Sequence, residues 1–313
     1  MPSILDGLSD AQREAVTHRG GPLLLSGAPG TGKTRCVSAR ARWLIEQGAD
    51  ASSVLVLSGS RAGAERIRGR LEEALREGHE ELAVFTPLAL CVRVLRAQAL
   101  RAGLDPFFVP ATRADRIATL LGRLDELTLA RHDLGARPAA LMASLVERID
   151  ALKEDLIDAE AYAASVVEGT EEQRELAQLY LDHDRMLAER GTPDAGELLI
   201  RTCGLLREDG PVRAALAAEW RWLLVDDFQY ASPATATLVR LMATEHRELT
   251  VAAEAPTGAA VEDFLAHFPE ARRVSLTQSL RCPPRIMRAV AAAAGLAVEP
   301  AAEPRAEGEV VFW

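Results

Sequence analysis

The segment Gly27-Ala28-Pro29-Gly30-Thr31-Gly32-Lys33-Thr34 constrains the fold of this chain more than any other. Three glycines so close together call for backbone conformations that other residues rarely adopt. Before it stands the apolar run Pro22-Leu23-Leu24-Leu25-Ser26, which reads as a buried strand. After it comes helical spacing from Lys33 to Glu46. Strand, glycine-rich turn with the pattern GxxxxGK and a Ser or Thr, then helix is the context of a P-loop. Its backbone N–H groups and the helix N-terminus converge on phosphate.

That pattern predicts a nucleoside triphosphate ligand. Gly27, Ala28, Pro29, Gly30, Thr31 and Gly32 would wrap the phosphates, Lys33 would bridge the outer two, and Thr34 would ligate Mg²⁺. Basic residue usage sharpens this. Among 36 Lys and Arg residues only Lys33 and Lys153 are lysine. A chain that writes arginine elsewhere keeps at 33 the compact ammonium, for which a guanidinium is no substitute in a tight space.

A second signal is Leu223-Leu224-Val225-Asp226-Asp227-Phe228-Gln229, an apolar strand ending in acids, as in a Walker B. Asp226 would hold Mg²⁺ and Asp227 would polarise the attacking water as general base. Lys33 and Asp226 are further apart than a compact P-loop domain allows, so a large insertion separates them. The segment from Gly103 to Arg190, with helical spacing and no strand pattern, supplies it as four or five helices. On either side strands alternate with helices. Val54-Leu55-Val56-Leu57, Val84-Phe85, Trp222 to Val225, Leu249 to Ala253 and Val274 to Leu276 read as strands of a parallel sheet. Helices are expected over 62–75, 88–102, 197–207 and 235–243.

The remaining composition sets bounds. The 313 residues are 48% hydrophobic and 26% charged, ordinary for a globular chain and too apolar for disorder. A net charge of −10 argues against an all-over basic coat but not against a local basic groove. Cys36, Cys91, Cys203 and Cys282 form no paired motif and read as reduced, buried thiols of a cytoplasmic protein. The histidines show no ligand spacing. No apolar run is long enough for a membrane span, and the start lacks a secretory pattern, so no membrane partner is expected. Arg61, Arg66, Arg68 and Arg70 either face DNA phosphates or form a solvated face with Glu65, Glu72 and Glu73. Trp220 and Trp222 read as packing residues.

With these motifs in place, the chain resembles the UvrD/Rep/PcrA family of superfamily 1 DNA helicases. Leu8-Ser9-Asp10-Ala11-Gln12-Arg13-Glu14-Ala15-Val16 resembles the family's Q motif. Ser58-Gly59-Ser60-Arg61 resembles motif Ia, and Phe85-Thr86-Pro87-Leu88-Ala89 motif Ib. Asp194-Ala195-Gly196-Glu197-Leu198-Leu199 resembles the segment before Walker B. Val225 to Gln229 resembles VDEFQ, and Leu276-Thr277-Gln278-Ser279-Leu280-Arg281-Cys282 motif IV. The resemblance implies that Gln12 reads the adenine edge, that Arg281 reaches the terminal phosphate and that Arg35 approaches the nucleotide.

The implied fold class is α/β, a P-loop (RecA-like) parallel sheet with an inserted all-helical subdomain. The expected bounds are 1–102 and 192–297 for the RecA-like core, 103–191 for the insertion, and 298–313 for a linker and the start of a second RecA-like domain. The implied activity is ATP hydrolysis with Mg²⁺, driving 3′-to-5′ movement on single-stranded or partly duplex DNA in repair or recombination. A second RecA-like half would come from beyond Trp313 or from a partner subunit. Departures from the family point to an alternative, a degenerate ATP-binding structural or regulatory subunit of a helicase–nuclease. Asp227 stands where the family has glutamate. Ala253-Glu254-Ala255-Pro256-Thr257-Gly258 aligns with motif III without its glutamine or DNA-stacking aromatic. Gly59 and Leu280 replace further aromatics, each stacking platform being worth about 1–3 kcal/mol per base.

Overall fold

Strands β1 (Leu23–Gly27), β2 (Val54–Ser58), β4 (Trp222–Asp226) and β5 (Leu249–Ala253) are buried at nearly every position. Such unbroken apolar runs need cover on both faces, which parallel strands with crossover helices provide. In the computed structural model, residues 4–75, 82–129, 137–244, 248–255 and 258–279 are described, with a few positions between 283 and 292. Among these, six strands form one sheet in the order β3-β2-β4-β5-β1-β6. β3 is Val84–Phe85 and β6 is Arg272–Leu276. Every pairing is parallel, with Leu25 opposite Ala252 and Val274, and Leu57 opposite Val225. The sheet edges are blunted. β3 has only two residues, and β6 exposes Arg272 and Arg273, with Arg272 paired to Glu14.

The chain divides into two compact units. One comprises Met1–Thr86, Pro211–Ala231 and Met242–Trp313, and the other Pro87–Gly210 and Ser232–Leu241. The first contains the sheet. Its core joins Leu23, Leu25, Val54, Val56, Leu224 and Val274 to Val37, Ala41 and Ile67 of the helices Lys33–Glu46 and Arg61–Leu75. Trp220 is buried, and Arg221 stacks 5.0 Å over the Trp222 ring. A helix not anticipated from the sequence, Ala259–His267, sets Phe264 against Phe228 and Phe268.

The second unit is helical. Arg113–Gly122, Pro138–Glu154, Ala159–Ser165 and Glu171–Glu189 surround a core of Leu120, Met142, Leu145, Ile149, Leu176 and Tyr180. The expected helix over 88–102 is two, Pro87–Ala97 and Ala99–Ala102, broken at Gln98. Ala195–Glu208 exceeds its expected bounds by two residues at the start and one at the end.

The polar side of this second core is unusual. The Lys153 ammonium, 1% exposed, donates to Asp184 Oδ1 and Asp194 Oδ2, both at 2.8 Å. His183 Nδ1 meets Asp184 Oδ1 at 2.7 Å, and its Nε2 accepts from Arg116 Nε at 2.9 Å. Arg116 also donates to Asp150. Asp194 caps the helix Ala195–Glu208 through the Glu197 N–H. Burial raises the Asp194 pKa, but Lys153, Arg116 and His183 outweigh that and hold it at about 2. Gly196 is required here, since a Cβ would lie 2.6 Å from Lys153 Cβ. His183, Asp184 and Asp194 lie close enough to share an ion. Lys153 and Arg116 already supply the positive charge at that spot.

The expected helix ending near Leu296, the linker over 298–308 and the strand Glu309 to Trp313 lie outside the described residues. No helix among the described residues is long and apolar enough to cross a membrane.

Candidate functional site: a P-loop cleft

Parallel order decides where the motifs meet. β1, β5 and β4 are neighbours, so the turns after Gly27, Ala253 and Asp226 emerge side by side at one sheet edge. Adjacent strands stand about 4.8 Å apart, which brings distant sequence segments within reach of a single ligand.

The loop after β1 takes its shape from its glycines. Gly30 and Gly32 have φ of +83° and +95°, values that side chains disfavour. A Cβ on Gly27 would sit 2.6 Å from Thr31 Oγ1 and 2.9 Å from the Leu276 carbonyl oxygen. The Thr31 hydroxyl donates to the Ala28 carbonyl at 2.8 Å and braces the loop. The helix Lys33–Glu46 begins at Gly32 with no side-chain cap, so its first N–H groups are available to an anion. Lys33, mostly buried, donates to the Gly27 carbonyl at 2.6 Å and the Ala28 carbonyl at 3.3 Å.

Asp226 ends β4 and is 2% exposed. Burial is the main cause of its pKa rising to about 6, and Asp227 adds to it. A hydrogen bond from Thr34 and the charge of Lys33 oppose the rise. One oxygen, Oδ1, is buried without a hydrogen-bond partner. An orphaned carboxylate oxygen beside a hydroxyl at the mouth of a P-loop is a donor set that suits a hard divalent cation. Thr34 and Asp226, the sequence-predicted Mg²⁺ ligands, are thus together. Asp227 follows in the left-handed conformation at φ +57°. Gln229 Nε2 lies 3.5 Å from its Oδ1, and Gln229 Oε1 accepts the Glu254 N–H at 3.1 Å.

These groups line a cleft of about 500 Å³ with Pro29, Gly30, Gly32, Lys33, Thr34, Arg35, Arg66, Arg70, Asp227 and Glu254 on its walls. The arginines of Arg61–Leu75 divide among different tasks. Arg61 pairs with Glu65 at the surface, and Arg68 donates to the Val84 carbonyl. Arg66 and Arg70, four residues apart and so on one helix face, line the cleft beside the P-loop. That destination was in neither sequence alternative.

Gln12 is buried, and both ends of its amide are bonded within the chain. Oε1 accepts the Ser9 N–H and Nε2 donates to the Thr31 carbonyl, each at 3.1 Å. The first bond belongs to a capping box on the helix Asp10–Thr17, legible in the spacing of Ser9 and Gln12. The second ties that helix to the P-loop. Gln12 also lines a small cleft of about 240 Å³ with Ser9, Asp10, Ala11, Thr31, Leu276, Thr277 and Gln278. Arg40, which the sequence analysis did not single out, secures the same helix. Its guanidinium donates to the Ala15, Val16 and His18 carbonyls. Arg281, Leu280, Pro256 and Thr257 lie outside the described residues.

The family model of the UvrD/REP helicase N-terminal domain matches residues 8–255, from the Q-motif helix to the end of this cleft. The chain belongs to the UvrD/REP helicase N-terminal domain family. It is 27% identical over 296 residues to "ATP-dependent DNA helicase PcrA" of Bacillus subtilis, covering 91% of this chain and 39% of that protein. It is 28% identical over 307 residues to "ATP-dependent DNA helicase UvrD1" of Mycobacterium tuberculosis, again 91% and 39%. For PcrA of Staphylococcus aureus the figures are 25% over 300 residues, 92% and 40%. This UvrD/REP domain therefore spans about two fifths of the length of the curated relatives it matches.

Proposed function

We propose that this UvrD/REP domain binds ATP with Mg²⁺ in the P-loop cleft and hydrolyses it to ADP and phosphate as part of a DNA helicase or translocase. The observation that carries this is the buried, unpartnered Asp226 oxygen beside Thr34 at the start of the P-loop helix. Burying a carboxylate oxygen without a partner costs free energy, which a divalent cation held by Asp226 and Thr34 would recover. The bound Mg²⁺ would neutralise charge on the outer phosphates. Thr34 and Asp226 hold it, while Lys33, Arg35, Arg66 and Arg70 offer positive charge to the triphosphate. The cleft beside Gln12 takes the base, with the Gln12 amide exchanging a chain partner for the adenine edge. By the family resemblance, Arg281 would add a further positive charge to the terminal phosphate.

The DNA partner, single-stranded or partly duplex, and the 3′-to-5′ direction rest on the family. So does a second RecA-like domain beyond Trp313 or in a partner subunit, whereas the domain bounds given above follow the helical pattern of the inserted segment and a cytoplasmic location follows the unpaired cysteines. The test is steady-state ATP hydrolysis by the longest chain the gene encodes, with and without single-stranded DNA. Turnover that rises severalfold with DNA is the expected result. Nucleotide binding without DNA-stimulated turnover would replace the motor with the ATP-binding structural subunit that the Asp227 and motif III departures favour.

Protons and the cation compete for Asp226. With its pKa raised to about 6, the carboxylate is charged above that pH and increasingly neutral below it. Mg²⁺-dependent nucleotide affinity should therefore be steady from pH 7 to 8 and fall as pH drops from 6.5 to 5. Titration of a fluorescent ATP analogue across that range, with Mg²⁺ and with EDTA, checks it. An Mg²⁺-dependent component that persists unchanged at pH 5 would remove Asp226 from the metal site.

A further inference from the structure

β5 lies between β4 and β1 in the sheet, so the first residue beyond it, Glu254, emerges between the Walker B acids and the P-loop. Glu254 lines the phosphate cleft together with Lys33, Thr34 and Asp227. Its backbone N–H is fixed by Gln229 Oε1. Among the described residues no hydrogen bond or ion pair engages its carboxylate. A free carboxylate in a cleft built for a polyanion is repelled by that ligand, unless it has a proton or cation to receive. Asp227 also lines this cleft, in different surroundings. It is one methylene shorter than the residue usual in the family, its backbone is left-handed, and Gln229 approaches its carboxylate.

We propose that Glu254 is the catalytic base of this site, accepting the proton of the attacking water, with Asp227 held by Gln229 as a positioning residue. This rests on the hydrolytic reading above. In the step, the water oxygen forms a bond to the terminal phosphorus as the bond to the bridging oxygen breaks. The electron pair of that bond stays on ADP. The water proton passes to a Glu254 carboxylate oxygen and from there to solvent. Glu254 enters from the strand between the two motifs, whereas Asp227 comes from the end of β4.

The experiment compares E254Q, E254D, D227N and K33A in the longest chain the gene encodes. It reads affinity for a fluorescent ATP analogue with Mg²⁺ and single-turnover hydrolysis separately. General-base removal slows turnover by ~100-fold or more. E254Q should show that loss with nucleotide affinity within about twofold of the parent. E254D should recover part of the rate, and D227N should lose less than E254Q. Turnover in E254Q within threefold of the parent, while K33A abolishes it, overturns the proposal and leaves the hydrolytic reading intact. The same holds if E254Q only tightens nucleotide binding, which would make Glu254 a counter-charge to Arg66 and Arg70. A D227N defect exceeding that of E254Q returns the base to Asp227. A parent chain that neither binds nor hydrolyses ATP fails the underlying reading as well.

Discussion

Lys33→Ala should weaken MgATP binding by ~100-fold or more and abolish hydrolysis, while leaving the melting temperature nearly unchanged. The Lys33 ammonium sits on the Gly27 and Ala28 carbonyls at the centre of the loop, largely buried. Losing a charge-assisted contact to phosphate in such a position costs about 2–5 kcal/mol. The carbonyls it leaves behind belong to a loop open to the cleft, where water replaces the ammonium. Lys33→Arg should fail almost as badly. The guanidinium is planar and larger, and the loop around Gly27 leaves no room even for a Cβ. Binding of a fluorescent ATP analogue together with thermal denaturation checks both variants. Retention of affinity in either would show that the phosphates lie elsewhere.

The other lysine should matter to stability instead. Lys153→Ala leaves Asp194 buried, with 0% of its side chain exposed and its Oδ2 partner gone. Breaking a buried pair by removing one member costs about 3–5 kcal/mol. For a protein of this size that lowers the melting temperature by roughly 10 °C. Arg116, 3.4 Å from the same oxygen, recovers a fraction of this. Lys153→Met should be similar, since filling the volume does not neutralise Asp194, whereas the double variant Lys153→Met with Asp194→Asn should recover most of the loss. The acid limb reports the same contact. Because Asp194 sits at about 2 in the fold against an ordinary 3.8, its contribution is complete above pH 4 and disappears as pH falls towards 2. Denaturant unfolding of parent and variants at pH 7, 4 and 2.5 checks the sign. Equal stability of parent and Lys153→Ala at pH 7 would overturn the assignment.

These two lysines also mark what a linear reading reaches. Lys33 was legible because its neighbours in sequence are its neighbours in space. The P-loop, its flanking strand and its helix all lie within one continuous segment. The strands were legible for a related reason, since burial on both faces leaves runs such as Leu23-Leu24-Leu25 and Val54-Leu55-Val56-Leu57 with no polar interruption. Lys153 was opaque because its partners Asp184 and Asp194 reach it from distant parts of the sequence. Charged residues at helical spacing look alike whether they face water or a buried partner. Arg66 and Arg70 were ambiguous for the same reason, and only the placement of their helix beside the P-loop decides between them and Arg61. Glu254 is the clearest case. The sequence marks it as part of a worn motif, and the strand order puts it between the two best-preserved ones.

That strand order also fixes a timetable. Among the described residues the sheet partners of β1 are β5 and β6, whose residues are translated more than two hundred positions later. At synthesis rates of about 5–20 residues per second, the hydrophobic Leu23-Leu24-Leu25 run waits roughly ten to forty-five seconds on the ribosome before a sheet partner exists. The helices from Arg113 to Glu189 are complete well before that, drawing on contacts among themselves. The P-loop cleft is thus among the last features to form, and its earliest-made strand is the part of the nascent chain most in need of shelter from aggregation.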